Sequence, residues 1–109
     1  MKRYCWTTGP MSSCEQAEEL RVTLSNGSAE TRKVTLRFYN LEYSPHRLTV
    51  ERCLSLKPHS SAFIVIPLRH ICHWELKYLA GCAAVRAAVS EGGRGCGHEL
   101  LSAKDFIRE

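Results

Sequence analysis

The sequence predicts an all-β protein, an antiparallel sandwich of about seven short strands with a short N-terminal tail. Two observations carry this. Apolar residues alternate with polar ones in Leu20/Val22/Leu24, Val34/Leu36/Phe38 and Trp74/Leu76/Tyr78, the period-two pattern of strands with one face on a core and one in water. Turn-forming Gly, Pro, Asn and Ser residues interrupt the chain about every ten residues, with no long helical pattern between them. A chain of 109 residues is enough for one domain that folds by itself.

Residues 54–68 are the expected organising hairpin. Leu48, Val50, Leu54 and Leu56 fall on one face of an extended chain, and Arg52 interrupts that face, which predicts a bulge or strand end there. Pro58 has a fixed φ and no N–H, so the ladder should stop beside it. His59, Ser60 and Ser61 make a polar corner. The run Ala62, Phe63, Ile64, Val65, Ile66 is apolar throughout and too short for a typical helix; it reads as a central strand buried on both faces, which Pro67 ends or forces to an edge.

Residues 1–18 read as a flexible or partly helical tail and 19–109 as the sandwich domain. Gly9-Pro10 is a break, and Ser12-x-x-Glu15 fits a capping box for a turn or two of helix. Leu20, Val22 and Leu24 open the first strand. Asn26-Gly27 reads as a turn tolerant of positive φ; it is also part of an Asn26-Gly27-Ser28 glycosylation sequon. Residues 40–46 form a loop cornered at Ser44-Pro45. Residues 82–91 are ambiguous: their alanines favour helix, whereas the alternation of Ala83, Val85, Ala87 and Val89 between glycines favours strand. Strand is preferred; a helix would make the fold α+β. The cluster Gly92, Gly93, Gly95 and Gly97 leads into an expected last strand over about 98–106.

Composition narrows the function classes. The net charge is +4, with fifteen Lys and Arg residues spread along strand faces rather than clustered, so no nucleic-acid partner is expected. No apolar run reaches the roughly 18 residues of a membrane span. Lys2 and Arg3 are not followed by an apolar segment, which predicts no conventional secretory leader; the expected setting is cytoplasmic, or a spore or envelope assembly reached without one. The six cysteines, Cys5, Cys14, Cys53, Cys72, Cys82 and Cys96, permit disulfides but include no CxxC pair.

The pattern Leu54-x-Leu56-x-Pro58-x-Ser60-Ser61-x-Phe63-x-Val65 resembles the central hairpin of bacterial immunoglobulin-like sandwich modules. The strand Trp74-x-Leu76-x-Tyr78, the segment from Val85 to Ser90, a glycine-rich turn and a closing strand continue the likeness over about residues 19–107. The resemblance implies a non-enzymatic spacer, adhesive or assembly unit of surface, envelope or spore-associated proteins. This chain departs from it in standing as a single domain, in its extra cysteines and in lacking the Cys-Trp-Cys core of antibody domains.

The expectation is therefore a structural or protein-interaction module that binds protein, including further copies of itself, without a cofactor. The interaction candidates are Ile64, Ile66, Tyr39 and Tyr43. Ile64 and Ile66 belong to a strand too apolar to be left uncovered, and Cys5 and Cys14 are candidates for cross-linking neighbours. A second reading is a small metal or thiol-redox protein using Cys72, Cys82, Cys96 and His98, soft ligands suited to zinc. Their spacing misses the usual knuckles, and Cys72 and His73 would point to opposite faces of a strand. A third is carbohydrate binding on an aromatic platform of Trp6, Tyr39 or Tyr43. A Cys–His nucleophilic pair, Cys96 with His98 or His73, lacks any announced cleft or oxyanion hole, and the glycine cluster lacks the Lys-Ser/Thr ending of a phosphate loop.

Overall fold

A computed structural model describes residues 4–13, 17–69, 71–93, 99–101 and 106–108. These form ten strands in two antiparallel sheets: β1 Tyr4–Thr7, β2 Met11–Ser12, β3 Ala17–Asn26, β4 Arg32–Asn40, β5 Arg47–Leu56, β6 Ser60–Pro67, β7 His73–Ala80, β8 Val85–Gly93, β9 Glu99–Leu101 and β10 Ile107–Arg108. One sheet runs β10-β1-β7-β4-β5, with β2 also on β7; the other runs β6-β3-β8-β9.

The alternation read from the sequence sets the core. Leu20, Val22 and Leu24 of β3, Val34, Leu36 and Phe38 of β4, Trp74, Leu76 and Tyr78 of β7, and Val85, Ala87 and Val89 of β8 are all buried between the sheets. Their polar neighbours face outward, as pleating requires. The segment 82–91 resolves as strand from Val85 onward, paired along β3. As a strand beside β3 it turns Val85, Ala87 and Val89 to the core and leaves Arg86 in water.

Residues 54–68 do not form a hairpin. β5 pairs with β4 and β6 pairs with β3, so the chain crosses from one sheet to the other at Lys57, Pro58 and His59. The bulge expected at Arg52 lies instead at Thr49, where β5 has one residue more than β4 between the pairs Phe38–Val50 and Tyr39–Leu48. Arg52 pairs regularly with Leu36 and is tolerated on the inner side because β5 is a margin of its sheet and largely open to water there. Nor is β6 central: it is a margin strand with only one face buried, the edge position that Pro67 allowed.

The N-terminal segment is part of the sandwich rather than a tail. β1 and β2 pair with the two halves of β7, on the edge opposite β4. Trp6 stacks on Tyr78 at 5.0 Å between ring centroids and on Tyr4 at 5.6 Å, and Tyr78 meets Phe106 edge-on at 5.2 Å. Arg108 of β10 covers the Tyr4 ring at 4.4 Å. Of the expected helical turn, residues 14–16 lie outside the described residues, and from Ala17 the chain is β3. Between β1 and β2 the ladder is interrupted at Gly9, whose φ of 68° suits glycine. The single closing strand expected over 98–106 is two short strands in different sheets, β9 and β10, with Phe106 buried before the second.

Asn26 is not a turn residue. It ends β3 with its side chain 2% exposed, and positive φ does not occur at Gly27. The Asn26 amide donates to the carbonyls of Glu30 (2.8 Å), Leu56 (3.0 Å) and Lys57 (3.2 Å), and its oxygen accepts from the Ser28 backbone (2.9 Å) and hydroxyl (2.7 Å). With its nitrogen so engaged, the sequon is closed to glycosylation in the folded chain.

Candidate functional site

The candidate site is the free edge of β6 and the outer face beside it. β3 pairs with β6 from Ser60 to Pro67. Among the described residues nothing pairs on its other side. Eight residues at about 3.3 Å each give an edge of roughly 26 Å along which alternate N–H and C=O groups point outward.

The side chains of this edge are unusual for one left open. Residues 60–67 read SSAFIVIP, without a charge. Ala62 and Ile64 are half-buried against the core and Ile66 is buried, whereas Phe63 is 70% and Val65 43% exposed. The neighbours explain this exposure. Phe63 lies opposite Thr23, itself opposite Ala88; Val65 lies opposite Arg21, itself opposite Ser90. The outer face beside Phe63 is thus low, and the ring stands above it. Arg21 is held back by Glu19, which accepts from its Nε at 3.0 Å.

The other described sheet margins offer less to a partner strand. β5 carries Arg47, Glu51 and Arg52 and a bulge, features that disfavour strand addition. β9 and β10 are three and two residues long, too short to template a long pairing. Only β6, among the described margins, is long, regular and uncharged.

A concavity of about 520 Å³ lies over the outer face of the larger sheet and is lined by residues including Lys33, Thr35, Arg37, Cys53, Ser55 and Leu79. Arg37 donates to Glu51 at 2.8 Å, and that hydrogen bond pushes the guanidinium pKa above its ordinary value. Thr35 and the exposed Cys53 sulfur are 3.7 Å apart.

The residues singled out in the sequence separate in space. Ile64 and Ile66 lie on β6 but point inward; the exposed pair is Phe63 and Val65, one residue out of phase. In a run apolar at every position, period two cannot assign the faces. Cys72 precedes β7 and Cys82 follows it, so the intervening eight-residue strand holds them roughly 25 Å apart, too far to share one ion. Cys96, His98 and Cys14 lie outside the described residues. Among the described residues no three His, Cys, Asp or Glu side chains cluster as metal ligands. His73 is exposed, its Nδ1 3.1 Å from the Ser12 hydroxyl. Cys5 is half-buried in β1.

The aromatic candidates do not share a platform. Trp6 is packed between Tyr4 and Tyr78. Lys77 lies over Tyr39 at 5.6 Å, and Arg47 over the exposed Tyr43 at 5.2 Å.

The fold defines the class of protein: an all-β sandwich of two antiparallel sheets. No family model and no curated protein matches the sequence. Solved structures similar in fold include two from bacteria whose likeness is one of shape alone. Thermotoga maritima 1070 aligns with a TM-score of 0.59 at 12% identity, over 97% of this chain and 90% of that one. The Anabaena sensory rhodopsin transducer aligns with a TM-score of 0.52 at 14% identity, over 80% of this chain and 94% of that one.

Proposed function

We propose that this protein is a non-enzymatic protein-interaction module that captures another chain by strand addition along β6. The observation that carries the reading is Phe63, 70% exposed on an uncharged eight-residue margin strand. Backbone pairing along such an edge gives affinity, and pockets or contacts for alternate side chains give selectivity. An open apolar edge is a liability that natural sheets normally suppress; β5 does so with charge and a bulge, whereas β6 carries only Pro67, at its end. A function at β6 accounts for that difference.

The proposal includes kinship with immunoglobulin-like modules. In those sandwiches the second strand pairs with the fifth and the third with the sixth, across two sheets. Here β3 pairs with β6 and β4 with β7, the chain changes sheet between β3 and β4 and again between β6 and β7, and β5 flanks β4. The flanking places differ: β8 lies beside β3, and β1 beside β7. A sandwich of similar shape is named as a sensory rhodopsin transducer; at 14% identity the likeness supports the fold and leaves that role with that protein.

The reading is tested by placing a photoreactive amino acid at position 63, and separately at position 51 on β5, in the living cell. Protein adducts are expected from position 63 and not from position 51, and Val65→Lys should abolish them. An absence of adducts from position 63, or equal adducts from both positions, overturns the reading.

A further inference from the structure

We infer that the chain docking on β6 is a second copy of this protein, paired antiparallel about a two-fold axis through Ile64. The inference rests on reading β6 as a docking edge and adds the identity of the occupant. It follows from the order of side chains on the strand. An antiparallel pair centred on Ile64 sets Phe63 opposite the partner's Val65, and Val65 opposite the partner's Phe63. Each is an aromatic–β-branched cross-strand pair, among the favourable kinds, and both lie on the outer face where Phe63 and Val65 are exposed.

The inner face matches as well. Ile64 meets the partner's Ile64, and Ala62 meets the partner's Ile66. The half-buried Ala62 and Ile64 become interior as two cores join. The five residues 62–66 are apolar at every step to either side of the axis, so one strand is complementary to itself, as a two-fold interface demands.

Charge permits the same pairing. No residue of 60–67 is charged, so no like charges are brought opposite each other. Lys57 and Arg69, the nearest charged residues on either side, fall beyond the paired segment. The two-fold arrangement uses up the β6 edge of both copies, and the other described margins are short or charged. The association therefore closes at a dimer instead of growing into a fibre.

Sedimentation across a concentration series, with reductant present so that cysteine cross-links do not contribute, tests the pairing. The unaltered protein should show a reversible monomer–dimer equilibrium. A chain carrying Phe63→Lys with Val65→Lys and one carrying Phe63→Glu with Val65→Glu should each be folded and monomeric, since both positions are solvent-facing in the single chain. An equal mixture of the two should restore a heterodimer, because each lysine then faces a glutamate. Should the charged chains fail to fold, Phe63→Thr with Val65→Thr keeps β propensity and should weaken the dimer by about tenfold or more.

A strictly monomeric unaltered protein overturns the inference, as does dimerisation unaffected by the substitutions at 63 and 65, or failure of the folded charged pair to recombine. If the unaltered chain is monomeric while position 63 forms adducts with a different protein, self-pairing fails and the docking role of β6 stands. If position 63 forms no adduct at all, the docking role fails with it.

Discussion

The side-chain amide of Asn26 donates to the carbonyl of Leu56 at 3.0 Å, joining the end of β3 to the point where the chain leaves β5 for the other sheet. The same nitrogen reaches Lys57 and Glu30, so one buried side chain ties the β3–β4 connection to the β5–β6 connection. Asn26→Ala should cost about 2–3 kcal/mol, since hydrogen bonds with net values near 1 kcal/mol are lost and buried carbonyls are left without donors. Urea denaturation measures it.

Asn26→Asp sharpens the point. A carboxylate there would face three carbonyl oxygens in a buried place, so its folded-state pKa must be raised above its unfolded value. A raised pKa stabilises below the unfolded value and the contribution is lost as pH rises through the folded value. The stability deficit of this variant relative to the unaltered protein should therefore be largest at neutral pH and shrink as pH falls toward about 4. A deficit independent of pH would mean that the side chain moves out to water.

Tyr78 sets an alkaline limit on the fold. Burial pushes its phenol up to about 12, against a smaller downward pull from Arg86. Between pH 10 and that value the unfolded chain releases this proton and the folded chain keeps it. Stability should thus fall by about 1.4 kcal/mol per pH unit from this one group. Ultraviolet titration should show one phenol ionising only near pH 12 or on unfolding, and Tyr78→Phe should remove this component of the alkaline loss.

Much of the architecture was legible because alternation is a direct image of a strand with one buried face. β3, β4 and β7 have that pattern without interruption, and the structure buries every apolar member of it. The pairing was less legible. Residues 54–68 look like a hairpin because two extended runs flank a proline turn, yet Asn26 reaches across and holds that turn at a sheet-to-sheet crossing, a contact 30 residues away in sequence. β1 was missed because Tyr4 and Trp6 gain their value from Tyr78 and Phe106, far along the chain. The β6 site was half legible: its apolar run was visible, but not which residues stood outward, because that phase is imposed by Leu20, Val22 and Leu24 pairing alongside.

The crossing at 57–59 contains a left-handed residue, His59 at φ 51°, and Arg69 beyond β6 sits at φ 47°. Non-glycine residues are disfavoured there because Cβ crowds the backbone. His59→Gly and Arg69→Gly should each raise stability by up to about 1 kcal/mol, the relief of strain being partly offset by the greater freedom of glycine in the unfolded chain. The rise in the urea midpoint should come without change in its slope; a fall would assign the two side chains a stabilising contact greater than the strain.

Thr8 mends the gap between β1 and β2. Its backbone N–H donates to the Leu76 carbonyl at 2.9 Å, and its hydroxyl accepts from the Leu76 N–H at 3.1 Å while donating to the Gly9 carbonyl at 2.7 Å. Leu76 is fully buried, so Thr8→Val leaves its N–H without an acceptor at a cost of about 1–3 kcal/mol, while Thr8→Ser keeps the hydroxyl and should lose much less. Amide exchange at Leu76 should quicken in the valine variant alone.

Trp6 decides whether the first strand belongs to the cooperative fold. Its indole joins Tyr4 on one side to Tyr78 on the other, and its backbone lies between β7 and β10. Removing the ring takes away a large stacked area and uncovers Tyr78, so Trp6→Ala should cost about 2–3 kcal/mol. A dispensable tail would leave thermal unfolding unchanged on the same substitution. A strand integral to the sheet predicts that the loss appears at every probe together: near-ultraviolet circular dichroism, tryptophan fluorescence of Trp74, and exchange of the β7 amides should shift to one lower midpoint. An early, separate transition confined to β1 and β2 would show that Trp6 holds only its own strand, and that β7 is stable with its edge exposed.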